Sequence, residues 1–331
     1  MPPQQLDATT VTALVREATA APSMHNAQPW RFRFLTGEHR LLLRGDPQRA
    51  MSHSDPADRA LHIGCGAALF TLRVAAAHTG VAARTRLLPD PHDPLLLAAV
   101  ELTVASGPHS DEASLLHLHP AIPQRHSSRY PFADQQIPEQ VQATLRAAAA
   151  REGAFLATPG AWHAEAVVEL VRDAESRDAV SPAAREDLER WTRLGPEADT
   201  AVDGVPEYAF GPRRRGGKAP QRDFAGRSPV ADRGTTAFEH IPHLALLSTP
   251  GDTPAHWLRA GQAMQRVLLE ATLADLATSL TSHPLENADL RPLLRDPLSG
   301  PGHVQMVLRL GYGPRGPATP RRPVRDVLDI V

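Results

Sequence analysis

An α+β protein built from two tandem half-copies of one motif is what this sequence predicts, and three observations carry that expectation. Residues 61–80, LHIGCGAALFTLRVAAAHTG, can be laid on residues 258–277, LRAGQAMQRVLLEATLADLA, so that Gly64 meets Gly261, Leu72 meets Leu269 and Ala77 meets Ala274. The flanks repeat as well, because LLLAAVELTV (95–104) and HVQMVLRLGYG (303–313) both read as β-strands after a proline-punctuated loop. The composition, 42% apolar and 22% charged over 331 residues, is that of an ordinary globular chain long enough to bury a large core. The expected division is a first repeat over 1–120 and a second over 121–331, the two forming an intramolecular pseudo-dimer.

From the N-terminus, VTALVREATA (11–20) spaces its apolar residues for an amphipathic helix. Pro22 and Pro29 then interrupt regular structure, and RFRFLTGEHRLLLRG (31–45) follows as strand. The stretches at 61–80 and 258–277 lack proline and carry small residues, which suits largely buried helices that approach each other closely. In the second half, VQATLRAAAAREG (141–153) and HAEAVVELVRDA (163–174) are the weaker counterparts of the opening helix and strand. A stretch from about Gly195 to Gly234, rich in Gly, Pro and charge, has no partner in the first half. Such a long irregular insertion is either a functional cover or a disordered loop, and a lid is the preferred expectation.

Composition also excludes several classes of function. A formal net charge of −2 gives no global reason for nucleic-acid binding, so any anion site must be local. No run approaches the ~20 consecutive apolar residues of a membrane span, and the opening MPPQQLDATT has no secretory pattern, so a cytoplasmic protein without membrane attachment is expected. Cys65 is the sole cysteine, which rules out an internal disulfide and a cysteine zinc cage; within IGCGAALF it reads as a small buried packing residue. There are 16 histidines but no H-E-x-x-H, and His117 and His119 would face apart on a helix, so no metal site is expected. The G-x-S-x-G, Walker A and G-x-G-x-x-G patterns are also absent, and Gly64-Cys65-Gly66 reads as helix packing.

Four motifs remain. In Ala21-Pro22-Ser23-Met24-His25-Asn26-Ala27-Gln28-Pro29-Trp30, the polar groups of Ser23, Asn26 and Gln28 either cap their neighbours or meet a ligand. In Arg125-His126-Ser127-Ser128-Arg129, two arginines with hydroxyls between them suit a phosphate or another delocalised anion, or form a solvated basic turn. Gly311-Tyr312-Gly313-Pro314 leaves a strand ahead of Arg321-Arg322-Pro323, whose arginines either return to the same anion or solvate the tail. The loop Thr281-Ser282-His283-Pro284-Leu285-Glu286-Asn287 either offers backbone N–H groups to a planar heterocycle or simply connects two elements.

Together these motifs resemble those of FMN-dependent nitroreductases. APSMHNAQPWRF resembles the signature P-S-x-x-N-x-Q-P-W-x-F, RHSSR resembles R-x-S-x-R, HPLEN is similar to the P-x-E-G loop beside the flavin, and GYGP with RRP resembles the final strand and its phosphate-binding arginine. The proline-tryptophan and R-x-S-x-R motifs each occur once, in different halves, as in the single-chain Acg-like subfamily with its fused halves and inserted lid. The resemblance implies that Arg125, Ser127 and Arg129 bind the ribityl-phosphate and the N1/C2=O edge of FMN, with Arg322 or its neighbour Arg321 on the phosphate. It implies that Pro22, Ser23, Met24 and Asn26 line the flavin from the other half, and that Pro284, Leu285, Glu286 and Asn287 form the loop at N5, where the Glu286 backbone donates. Met24 stands where a small polar residue is usual, and Asn287 where Gly is usual.

The implied activity is two-electron reduction of a small-molecule nitro or quinone-type acceptor, with NAD(P)H as donor and no catalytic side chain. The alternative is an FMN storage or sequestering protein whose lid stays shut. Because the two halves supply a dimer-like interface, a monomer with internal pseudo-two-fold symmetry is expected.

Overall fold

The computed structural model describes residues 6–104, 110–226, 228, 230–296 and 302–331. Helix α1 (Ala8–Ala18) starts where the Asp7 carboxylate accepts from the Thr10 N–H at 2.7 Å, and it buries Val11, Leu14, Val15 and Ala18 along one face. The expected strand over 31–45 is a hairpin, β1 (Trp30–Leu35) and β2 (Arg40–Gly45), because Thr36–Glu38 turn and His39 takes a left-handed φ of 48°. Then come α2 (Arg59–His78), β3 (Val81–Leu87), β4 (Leu96–Val104) and the short α3 (Ser110–Leu116).

The second half begins with α4 (Glu139–Arg151) and β5 (Phe155–Ala157). HAEAVVELVRDA is not a strand but lies inside a 20-residue helix, α5 (Ala161–Val180). Its buried Val167, Val168, Val171 and Ala174 follow helical spacing, and Ala and Glu favour that state. Next come α6 (Pro182–Arg190), β6 (Thr192–Arg193), α7 (Pro196–Thr200), β7 (Val205–Pro206), β8 (Arg213–Arg214) and β9 (Thr235–Thr236). The excursion therefore opens after β5 and closes only at β10 (His243–Thr249), well beyond the expected Gly195 to Gly234, of which Arg227 and Pro229 lie outside the described residues. It ends in α8 (Pro254–Leu273), β11 (Ala277–Thr281), α9 (His283–Glu286), β12 (His303–Gly311) and β13 (Leu328–Ile330).

The two main sheets share one order. The first runs β3-β4-β2-β1 and the second β11-β12-β10-β5, each antiparallel throughout, and β13 then adds parallel to β1. Residues 328–330, at the far end of the second half, thus complete the sheet of the first.

Helices α2 and α8, each of 20 residues, cross at a pair of glycines. A Cβ on Gly66 would lie 2.3 Å from the Leu258 carbonyl oxygen, and one on Gly261 would lie 2.1 Å from that of Ile63. The contact is reciprocal: Gly66 is the glycine that meets Gly261, while Gly64, laid on Gly261 in the sequence alignment, faces Ser23 and Pro29. By length and composition α2 could cross a membrane, yet 83% of that window is buried inside the protein. Cys65 on α2 is fully buried, and its thiol is pushed up by burial, as a packing residue requires.

Candidate functional site

The Ala21–Trp30 loop holds a strained shape. His25, Asn26 and Gln28 have φ of 47°, 56° and 53°, a left-handed region that non-glycine residues occupy only when their surroundings enforce it. The enforcement comes from side chains. Ser23 Oγ accepts from the Gln28 N–H at 2.9 Å, and Gln28 Nε2 donates to the Val202 carbonyl at 2.9 Å while its Oε1 accepts from the Arg322 N–H at 2.9 Å. Asn26 Nδ2 donates to Gly204 at 2.9 Å and Pro320 at 3.0 Å, and its Oδ1 accepts from Arg321 at 3.0 Å. The loop is thereby tied to the excursion and to the last segment of the chain.

Replacing Asn26 with Ala removes three of these bonds. We expect a loss of about 1–3 kcal/mol, seen as a lower Tm, with faster proteolysis around Val202 and Gly204. An unchanged Tm and digestion pattern would reject this anchoring role.

Opposite the loop, Arg125-His126-Ser127-Ser128-Arg129 crosses the second half. The Ser128 N–H donates to the Thr278 carbonyl at 2.7 Å, and Gly316 packs so tightly on Ser127 that a Cβ there would lie 1.9 Å from its carbonyl oxygen. Arg125 is buried and reaches into the first half, donating to the Ala20 carbonyl at 3.2 Å. Arg321 donates to that same carbonyl at 3.2 Å. Neither guanidinium has a carboxylate partner among the described residues, and each has a buried Nε without a hydrogen-bond partner. Burial pushes Arg125 down to about 9, with Arg321 adding to the effect, and burial lowers Arg321 to about 10. His126 is held at about 4 by burial and then by Arg125 and Arg321. Two cations and a neutral imidazole thus gather beside the Ala20 carbonyl. Arg322 lies elsewhere: its Nη2 donates to the Asp326 carbonyl at 2.9 Å, and Asp46 is 3.9 Å away.

A cavity of about 100 Å³ lies where the two halves and the excursion meet. Pro22, Ser23, Met24 and His25 line it from the first half, Ser127, Arg129 and Ser279–His283 from the second, and Gln221, Arg222 and Phe224 from the excursion. Arg129 donates to the Ala209 carbonyl at 3.0 Å and lies 4.7 Å from the Phe224 ring centroid; burial lowers it to about 10. Arg125, Asn26, Arg321 and Arg322 are outside this lining.

The 281–287 loop contributes less than its sequence suggests. Pro284 and Leu285 are buried, and the Asn287 side chain bonds the His283 carbonyl at 3.2 Å. The Glu286 N–H donates to the Ser282 carbonyl at 3.1 Å, and its carboxylate pairs with Arg222. Burial raises the Glu286 carboxyl, with Arg222 opposing. Sequence reading missed His25, His283, Arg222 and Phe224 as lining residues, although the first two sat inside the motifs it had quoted. A single histidine has no periodicity to detect.

The fold and site define a two-sheet α+β protein with a cavity, lined by Arg59, Arg129 and Arg222, at the junction of its halves. The Nitroreductase family pattern matches residues 122–312, and the chain belongs to that family. Within the family it is Acg-like. It is 33% identical to a Mycobacterium tuberculosis protein provisionally named NAD(P)H nitroreductase Rv3131, over 98% of this chain and 92% of that one. It is 29% identical to the M. tuberculosis protein provisionally named NAD(P)H nitroreductase acg, over 100% and 98%. A crystal structure from Anabaena variabilis, provisionally called a nitroreductase, shares the fold at TM-score 0.50 and 12% identity, covering 92% of this chain and 88% of that one.

Proposed function

We propose that this chain binds FMN at the junction of its halves and acts as an NAD(P)H-dependent two-electron reductase of small nitro or quinone-type acceptors. One observation carries the reading: Arg125 and Arg321 converge on the Ala20 carbonyl, cationic and without a carboxylate among the described residues. Two buried charges left in that state call for a polyanion such as a phosphate. The NAD(P)H nitroreductase names of the Acg-like relatives support the donor.

The donor set suits FMN. Arg125 and Arg321 would hold the phosphate, Ser127 and Arg129 the polar edge of the ring, and Pro22, Ser23 and Met24 its flank. Asn26, Gln28 and Arg322 act one step back, by fixing the loop and Arg321. When bound, FMN supplies the electron chemistry, and Arg129 provides a fixed positive charge where negative charge would develop. At about 100 Å³ the cavity is below the ~300–1,000 Å³ of typical ligand sites, so the Gln221–Phe224 stretch must withdraw to make room.

Matched sheet order and the reciprocal glycine contact support two fused half-copies, over 1–120 and 121–331, that share one site in a monomer. The tail at Arg321 and β13 are exchanged into the first half.

A second reading has its own support. Residues of the excursion close the cavity, and Arg222 is latched to a buried Glu286, as a covered FMN store would require. Steady-state NAD(P)H oxidation by fully flavinated protein, with a nitro or quinone acceptor, separates the two. We expect turnover; negligible turnover would reject the reductase and favour the store, and failure to take up FMN would reject both.

A further inference from the structure

Two buried imidazoles line the cavity with ring nitrogens that find no hydrogen bond in the fold. His25 is 7% exposed and neither of its ring nitrogens has a hydrogen-bond partner; His283 is 4% exposed and its Nδ1 has none. They come from opposite halves, one on the strained loop and one on α9, and both line the same cavity. A buried donor left without a partner costs stability, so its retention in a cavity points to a ligand.

We infer that His25 and His283 form a pair of N–H donors for the uncharged oxygen of an electron acceptor, a nitro oxygen or a quinone carbonyl, in the place that Phe224 fills here. This rests on the reductase reading above and names its acceptor subsite. Phe224 sits edge-on to His25 at 5.3 Å between ring centroids and lies against Arg129, so a planar ring already occupies the position. The same Phe224, with Arg222 and His283, also lines an outer cavity of about 780 Å³, large enough for the body of an acceptor. Withdrawal of Phe224 would join the two spaces.

The imidazole pair itself suits a neutral oxygen; Arg129, which lines the same cavity without a carboxylate partner among the described residues, is the group that would draw an anion. Arg222, the cation that acts on both imidazoles, is already paired with Glu286, and the imidazoles themselves are neutral. Burial, followed by Arg222, holds both well below the ordinary histidine range; Arg129 adds to this at His25, and His25 at His283. A neutral imidazole offers one N–H and carries no charge for an anion to seek.

Calorimetric titration without NAD(P)H tests the assignment, using 4-nitrobenzamide, 4-methylbenzamide and 4-carbamoylbenzoate as matched neutral-oxygen, apolar and anionic probes. Wild-type protein and Phe224→Ala are titrated, each FMN-saturated and flavin-free. The nitro probe should bind about tenfold tighter than the methyl probe, and Phe224→Ala should tighten it several-fold further. His25→Leu and His283→Leu should each erase most of the preference, whereas His25→Gln and His283→Gln, which keep an N–H, should retain it. An intact preference in the Leu variants, tightest binding of the carboxylate, or no binding of the nitro probe to any form would overturn the inference. If FMN is not taken up, the cofactor reading falls, while the flavin-free titrations still decide the histidine pair.

Discussion

Arg125→Ala combined with Arg129→Ala is expected to give a folded protein that purifies colourless. Each guanidinium offers charge-assisted hydrogen bonds worth about 1.5–3 kcal/mol apiece, so the pair should weaken FMN affinity by a factor of about 100 to 10,000. The fold should not suffer in proportion. Both side chains are cations that burial already disfavours, and among the described residues they bond only the backbone carbonyls of Ala20 and Ala209. Removing an uncompensated charge relieves a penalty rather than creating one. The flavin-free double variant should therefore match or exceed the Tm of flavin-free wild type. A variant that keeps its full yellow absorbance would sink the site assignment; one that is colourless because it is unfolded would show up in the Tm.

Gly261→Ala is expected to be the most destabilising conservative change in the core. Its new methyl would sit 2.1 Å from the Ile63 carbonyl oxygen, and Ile63 belongs to the helix it crosses. No rotamer relieves that contact. The two 20-residue helices must part, and the apolar residues around the crossing part with them, for a cost of about 3 kcal/mol, at the top of the range for overpacking. Gly64→Ala is the control. Its methyl would meet the Ser23 Cβ at 3.2 Å and the Pro29 ring at 3.5 Å, side-chain neighbours that can shift by tenths of an ångström. Equal losses in Tm for the two variants would remove the crossing from its proposed role in joining the halves.

Much of this architecture was legible where local chemistry dictates it. The α1 apolar spacing, the β4 and β12 runs and the proline-bounded loop depend on neighbours in sequence, and they lie where expected. The failures share a physical cause. HAEAVVELVRDA was aligned with a strand because the duplication seemed to need one there, against its own helical period. Which glycine of α2 meets Gly261 could not be read from sequence, because Ala and Leu match Ala and Leu at many offsets and only a backbone-to-backbone contact singles out Gly66. The Ala21–Trp30, Arg125–Arg129 and Thr281–Asn287 motifs contain residues that line one cavity, without revealing which atoms face it. Asn26 and Glu286 spend their groups on Gly204, Pro320 and Ser282, and of the two tail arginines it is Arg321 that joins Arg125. Those choices depend on partners more than 150 residues away in sequence for Asn26 and Arg321.

The parallel addition of β13 to β1 has a mechanical side. Arg321 is delivered to Ala20 by the same segment that zips onto the first sheet, where the Phe32 N–H donates to Val327 at 2.6 Å and the Val331 N–H to Phe34 at 2.9 Å. Strand pairing and the placement of that cation are therefore a single event. Whatever frays β13 from β1 also draws Arg321 away from Ala20, so a break at the sheet edge is felt beside Arg125.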